Sequence, residues 1–254
     1  MTVEPAGPHN PRIQRLRRLL GRRSSRRDDG AYVIEGPTLV AEAAAAGLAL
    51  EVFVEESATG LLPVLPPGAS VTVVRDGVLA KVGSTEAPQP VMAVAPLMSC
   101  TLDDLAGAPF VLVAAAVGDP GNLGTMLRSA EAAGAAGLVT TAGSVDPWNP
   151  KCVRASAGAL FHVRVVDGVA PAELRRLGVV LVGTVADGGV PYTDRGALDG
   201  PLALVLGNEA HGIPADVPID RLVTIPHAGR AESLNVAMAA AVLSFEIARK
   251  RRSH

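Results

Sequence analysis

Aromatic side chains are scarce: one Trp, two Tyr and four Phe in 254 residues, 3% of the chain. Hydrophobic residues still reach 48%, so the core has to be built from Ala, Val and Leu. That composition suits a buried Val/Leu-rich sheet covered by Ala-rich helices. Cysteine is scarcer still, with Cys100 and Cys152 far apart in sequence. Without a CxxC, an HExxH or a Cys/His cluster at ligand spacing, a disulfide framework and a structural zinc are excluded, and no metal is expected. No apolar run is long enough for a membrane-spanning helix. The N-terminus also lacks a basic region followed by an apolar run and a small-residue cleavage site, so the expectation is a cytoplasmic protein without a membrane partner. Net charge is only −2, which by itself does not advertise nucleic acid.

The distribution of charge says more. Arg12, Arg15, Arg17, Arg18, Arg22, Arg23, Arg26 and Arg27 put eight arginines into sixteen residues, and Arg249, Lys250, Arg251 and Arg252 lie close to the C-terminus. Arginine clusters suit phosphate backbones because the guanidinium fork fits a pair of phosphate oxygens. For the C-terminal cluster a solvated helix face running into a disordered tail is the favoured reading. For the N-terminal cluster the solvated face and the RNA contact are evenly matched on composition.

Hydrophobic periodicity divides the chain into two α/β series. Residues 1–10 read as disordered. Ile13, Leu16, Leu19 and Leu20 then recur at helical spacing with arginines on the other face. Strands follow at 32–34, 51–55, 71–74 and 91–95, with a helix from Pro37 to Ala46 that Gly47 stops. The stretch APLMSCTLDDLAGAP (95–109) reads as a linker, giving domains at 1–105 and 106–254. Beyond it strands are expected at 110–117, 137–141, 161–165, 179–185, 201–206 and 222–226. Helices are expected at 122–133, 151–160, 171–177 and 233–252. These strands are continuous apolar runs, as in a parallel sheet buried on both faces.

Parallel α/β sheets bind ligands at the carboxyl ends of their strands, and three polar loops leave such ends. GDPGNLG (118–124) fails the P-loop template, having no Lys after its last Gly, and it fails GxGxxG spacing. On the helix after it, Leu123, Met126, Leu127 and Ala130 form an apolar stripe, with Arg128 off its centre. The second loop, LGNEAHGI (206–213), brackets an amide and an acid with glycines. The third, IPHAGRAE (225–232), runs into Ser233, which reads as a candidate helix cap, and Asn235, placed in the first helical turn.

In this order the segments GNLGTMLRSAEAAG (121–134), NPKCVRASAGALF (149–161), LVLGNEAHGI (204–213) and IPHAGRAESLNVAMAAAVLSFE (225–246) resemble the SpoU, or TrmH, family of RNA methyltransferases. The first half is similar to the family's substrate-binding domain through NPRIQRLRRLL (10–20), AYVIEGPTLVAEA (31–43) and STEAPQPVMAVA (84–95). The resemblance implies an α/β chain with a small L30e-like N-terminal domain and a trefoil-knotted SPOUT methyltransferase domain, working as a homodimer through the latter. It implies methyl transfer from S-adenosylmethionine to a ribose 2′-hydroxyl of RNA, with 23S ribosomal RNA favoured. A tRNA methyltransferase, or a catalytically inactive RNA-binding protein of the same fold, are the alternatives. Knot loops 207–213 and 225–234 would wrap the cofactor, with Thr184, Gly207, Asn208, Ile225 and Leu234 as its contacts. Gly207 is expected to let the backbone press against the purine. Arg128 and Asn122 match the family's catalytic arginine and its companion, and Glu209, Ser233 and Asn235 complete the expected set. RNA contacts are expected at Arg15, Arg18, Arg22, Arg27, Lys151 and Arg154, with Ser156 beside the last two. His227 departs from the apolar residue that many members carry after Ile-Pro.

Overall fold

The structure is a computed structural model that describes residues 4–48, 50–85, 87–229 and 233–252. It divides into two units, one holding the chain up to Met98 together with Trp148–Phe161, the other holding Ser99–Pro147 and the chain from His162 onward.

In the first unit, α1 (Pro11–Gly21) is capped by Asn10, whose side chain accepts from the Arg12 amide, and Pro11 at its first position needs no donor. It buries Ile13, Leu16, Leu19 and Leu20, the stripe seen in sequence. Arg22 adopts extended backbone and breaks the helix there. A second helix, α2 (Arg23–Asp29), follows and stops at Gly30 in the left-handed region. The strands β1 (Ala31–Glu35), β2 (Glu51–Glu55), β3 (Ser70–Val74) and β4 (Val91–Pro96) form a sheet ordered β1-β4-β2-β3, and α3 (Pro37–Ala45) follows β1. β4 runs antiparallel to both neighbours, whereas β2 and β3 are parallel. The arginine helix packs its apolar stripe on Phe53, Leu79 and Met92. Residues 4–10 are not the free tail expected: Ala6 bridges to Val74, and its amide donates to the Val73 carbonyl at 2.9 Å.

The second unit is built on a sheet ordered β7-β6-β5-β10-β8-β11-β9, parallel throughout. Its strands are β5 (Phe110–Ala114), β6 (Gly137–Thr141), β7 (Arg164–Val169), β8 (Val180–Thr184), β9 (Val190–Pro191), β10 (Leu202–Leu206) and β11 (Arg221–Thr224). β5 and β10 lie at the centre with every residue buried, which is why they read as unbroken apolar runs. From β5 the chain moves outward through α4 (Pro120–Ala132) to β6 and β7. It then returns to the other half of the sheet, and β10 inserts between β5 and β8. This reversal of direction between β5 and β10 is a switch point, the place where open parallel sheets leave a crevice. The last helix, α6 (Val236–Arg252), packs against α4 and β10.

Several expected boundaries move. The helix expected at 151–160 ends early, as α5 (Pro150–Ala155), because Ala157 and Gly158 take positive φ of 46° and 94°. The strand expected at 161–165 starts at Arg164, and residues 171–177 wind as tighter 3-10 turns. β9 was not anticipated. Of the basic C-terminal cluster, Lys250 pairs with Asp199 at 3.0 Å, whereas Arg249, paired at 2.7 Å with Glu246 on the same helix, and Arg252 stay exposed. Arg251 stacks 5.8 Å from the centroid of the buried Phe110 ring. Among the described residues no helix is long and apolar enough to cross a membrane.

Candidate active site

A cavity of about 270 Å³ opens at the carboxyl ends of β8, β10 and β11. Thr184, Val185 and Ala186 line it from β8 and its exit, Leu206 to Glu209 from β10 and its exit, and Val223, Ile225 and His227 from β11 and its exit. Ser233 and Leu234 close it from the segment before α6, and Val236, Ala239 and Leu243 from α6 itself. The walls are mostly aliphatic, with Thr, Asn, Glu, His and Ser placed singly among them, the make-up of a small-molecule site. The five residues expected to hold the cofactor, Thr184, Gly207, Asn208, Ile225 and Leu234, are all on this wall, as are Glu209 and Ser233 from the expected catalytic set.

The exit of β10 is shaped by Gly207. A Cβ there would lie 2.2 Å from the Gly212 carbonyl carbon and 2.3 Å from the Ile213 nitrogen. The loop turns back on itself, with Asn208 and Gly212 exchanging backbone hydrogen bonds of 2.9 and 2.8 Å. The loop's own backbone therefore already requires glycine at this position. Asn208 lines the cavity, but its side chain serves the loop. Its Nδ2 donates to the Ala116 carbonyl at 3.2 Å, and its Oδ1 accepts from the Ala210 and His211 amides. Ala116, just past β5, holds φ +56° with its amide tied to Thr141 Oγ1 at 3.0 Å. A non-glycine residue in that region marks local strain held by its surroundings.

Three of the expected catalytic residues form one chain of hydrogen bonds. Asn235 caps α6, its Oδ1 accepting from the Ala237 and Met238 amides at 3.0 and 3.3 Å. It lies before the helix rather than in its first turn, and it does the capping expected of Ser233. With its oxygen so engaged, Nδ2 donates to Asn122 Oδ1 at 3.0 Å. Asn122 is thereby turned so that its own Nδ2 donates to Glu209 Oε1. Asn122 is fixed in turn by the α4 cap, where its backbone amide donates to Asp119 Oδ1 at 2.7 Å. Arg128 stands apart from this chain. It is exposed on α4, off the cavity wall, and among the described residues it has no side-chain partner.

Residues 109–245 match the SpoU rRNA Methylase family, and residues 10–93 match the MRM3-like substrate binding domain. The chain belongs to the SpoU rRNA methylase family. It is 36% identical to the 23S rRNA (guanosine(2553)-2′-O)-methyltransferase RlmP of Bacillus subtilis, over 89% of this chain and 91% of that one. It is 31% identical to the 23S rRNA (uridine(2479)-2′-O)-methyltransferase of Streptomyces viridochromogenes, over 96% of this chain and 91% of the relative. The crystal structure of the SpoU methyltransferase AviRb from that organism, in complex with AdoMet, superposes with a TM-score of 0.83 at 30% identity, covering 96% of this chain and 99% of that one. The second unit thus has the SPOUT methyltransferase fold. Of the loops expected to form the family's knot, residues 230–232 lie outside the described residues.

The cavity fits the family cofactor on its own evidence. Small residues (Gly207, Gly212, Ala186, Ala239) and aliphatic walls leave room for a flat ring system, and the isolated polar groups suit the rest of a nucleoside-amino-acid ligand. His227 Nε2 is buried there with no hydrogen-bond partner among the described residues, an orphan of the kind a bound molecule resolves. Sequence reasoning missed Val185, Ala186, Val223, Ala239 and Leu243. Ala239 and Leu243 are four apart on α6, so helical spacing was visible, but nothing local says which face of that helix meets the cavity. Among the described residues no group of three or more His, Cys, Asp or Glu is placed to hold a metal.

The arginines expected to meet RNA divide in the first unit. Arg15 is ion-paired with both Asp29 and Glu51 at 2.9 Å, and Arg12 reaches Glu51 at 3.6 Å. Arg26 is buried, its Nη1 donating to the Leu19 carbonyl at 2.6 Å and so satisfying the end of α1. Arg17, Arg18, Arg22 and Arg27 are exposed, as is Lys151 on α5. Arg154 is held by Glu35 at 2.5 Å, and Ser156 is fully buried, donating to the Val153 carbonyl.

Proposed function

We propose that this protein transfers a methyl group from S-adenosylmethionine to a ribose 2′-hydroxyl of 23S ribosomal RNA. The carrying observation is a conjunction: an aliphatic cavity at the carboxyl ends of β8, β10 and β11, flanked by the Asn235–Asn122–Glu209 chain, in a protein 36% and 31% identical along most of its length to relatives named as 23S rRNA 2′-O-methyltransferases. The division of labour we assign follows the sequence: residues 1–105 hold RNA and residues 106–254 do the chemistry, in the cytoplasm.

The cofactor, when bound, supplies an electrophilic methyl group. Thr184, Gly207, Ile225 and Leu234 hold it, largely through backbone groups and apolar walls, while Asn208 keeps the loop beneath it in shape. Glu209, held by Asn122, and Ser233 orient the ribose beside the cavity, so the reacting oxygen meets its target in one geometry rather than many. Arg128, exposed and without a side-chain partner among the described residues, grips the substrate phosphate and stabilises negative charge developing on the 2′-oxygen, since a guanidinium is a poor base but a good oxyanion partner. Arg18, Arg22, Arg27 and Lys151 bind the RNA backbone. The partner copy expected of a homodimer would cover α6, where Met238, Val242 and Phe245 form an exposed apolar stripe at i, i+4 and i+7, 62%, 40% and 47% exposed.

The test is calorimetric titration with S-adenosylmethionine, followed by transfer of labelled methyl to unmodified 23S rRNA and mapping of the alkali-resistant linkage. One cofactor per chain and one protected ribose are expected. No binding with or without ribosomal RNA would overturn the reading, as would transfer to a base.

A further inference from the structure

Residues 148–161 present a mismatch between sequence and structure. They lie inside the stretch that matches the methylase family, between β6 and β7, yet their packing belongs to the first unit. The segment is built to stay there. Asn149 caps α5, Cys152 and Val153 are buried, and the chain then turns through the left-handed Ala157 and Gly158. Gly158 lies so near α3 that an added Cβ would fall 2.1 Å from the Glu42 carboxylate.

The centre of the docking is a polar cluster. Glu35, at the end of β1, has a side chain only 1% exposed. Its Oε1 accepts from the Ser84 amide at 2.9 Å, and its Oε2 accepts from Ser84 Oγ at 2.5 Å. Arg154 Nη1 donates to the same Oε2 at 2.5 Å and to Ser84 Oγ at 2.7 Å. The turn carrying Ser84 can come this close because Gly83 precedes it: a Cβ there would sit 3.0 Å from Met92 Cε and 3.3 Å from Glu35 Oε1. A carboxylate buried to this degree needs a charged partner in register, and Arg154 is that partner. One helical turn from Arg154, Lys151 projects from the same helix into solvent.

We propose that Arg154 is a positioning residue rather than an RNA contact: clamped to Glu35 and Ser84, it fixes α5 on the first unit's sheet and so sets where Lys151 is offered to RNA. The proposal rests on the RNA-methylating reading above for its kinetic consequence, but the clamp itself can be tested without RNA.

Two variants separate the alternatives, because Glu35 is buried and carries no charge that attracts RNA. Glu35→Gln keeps the shape and removes the charge that holds Arg154; Ser84→Ala removes only the bridging hydroxyl and is the milder change. Hydrogen exchange is measured first on the full chain alone. Protection of the amides at 151–158 is expected to fall at least tenfold in Glu35→Gln and less in Ser84→Ala. Unchanged protection in both overturns the clamp whatever the substrate is. The KM for 23S rRNA is then expected to rise about tenfold in Glu35→Gln, with kcat and calorimetric affinity for S-adenosylmethionine within twofold of the parent. Arg154→Lys, which keeps a cation but loses the fork, should show the same KM defect. If Arg154 instead touches phosphate, Glu35→Gln leaves RNA affinity equal or better, Arg154→Lys is nearly silent, and the proposal fails. A wild-type protein that binds cofactor but ignores every rRNA would sink the functional reading and leave the exchange result standing.

Discussion

Replacing Gly207 by alanine tests whether the shape of the cavity is set by the β10 loop's own backbone. The added methyl would stand 2.2 Å from the Gly212 carbonyl carbon, 2.3 Å from the Ile213 nitrogen and 2.4 Å from the Gly212 oxygen. All three are main-chain atoms, so no rotamer can relieve the contact. Reaching ordinary separation needs a displacement of about 1 Å between the two arms of a loop held by a pair of backbone hydrogen bonds. Overpacking of this kind costs roughly 2–3 kcal/mol, a Tm lower by about 5–10 °C for a unit of this size. Because the displaced atoms are the cavity wall, affinity for S-adenosylmethionine should fall at least tenfold, about 1.4 kcal/mol. Gly212→Ala is the control. Gly212 has φ +69° and open space around it, so alanine there meets only backbone strain of about 1 kcal/mol. Calorimetry and thermal melts on both variants give the ordering. If Gly207→Ala melts within 2 °C of the parent and binds within twofold, or if Gly212→Ala is the worse of the two, the steric argument is wrong.

Arg128→Ala should lower turnover more than tenfold while leaving cofactor affinity and Tm unchanged, since the side chain is exposed and off the cavity wall; retention of a tenth or more of the activity refutes its role. Asn235 carries two jobs that substitution can separate. Asn235→Asp keeps the cap on α6 but replaces the amide donor to Asn122, so activity should fall with stability nearly intact, whereas Asn235→Ala should also cost about 1 kcal/mol in a urea melt. Equal activity in the Asp variant would show that the hydrogen-bond chain is incidental. Asp220 is held below the usual carboxylate range by the Leu181 amide and by Arg175. Its stabilising contribution is therefore complete above the ordinary Asp pKa near 4 and is lost as pH falls through the lower folded value. Asp220→Asn should flatten the loss of stability in urea melts as pH falls below about 4; an unchanged slope would remove Asp220 from the acid response.

Much of the fold could be read along the chain because the signals are local. FVLVA and LALVL are unbroken apolar runs because β5 and β10 are covered on both faces, and the stripe Ile13, Leu16, Leu19, Leu20 is buried as its spacing implies. The motif order drew attention to Thr184, Gly207, Asn208, Ile225 and Leu234, which the folded chain gathers around one cavity. The misplacements share a cause: each depends on a partner distant in sequence. β9 is two residues that exist as a strand only through pairing with β11. The helix at 151–160 breaks where Ala157 and Gly158 turn the segment beside α3 and β1. Arg15, Arg26 and Arg154 carry the same charge as Arg18 and Arg22, yet their guanidinium groups are taken up by Asp29, the α1 carbonyls and Glu35.

What the sequence determined by itself was the type of most elements, the parallel arrangement of the second sheet and the set of loops with chemical potential. These follow from burial periodicity and from which residues tolerate turns, and both are properties of neighbours along the chain. Tertiary structure alone decided which arginines remain available to a phosphate, which asparagine caps α6 and orients the next, and why Gly207 must be glycine. Each of those outcomes is set by a distance between atoms that the backbone brings together only after folding.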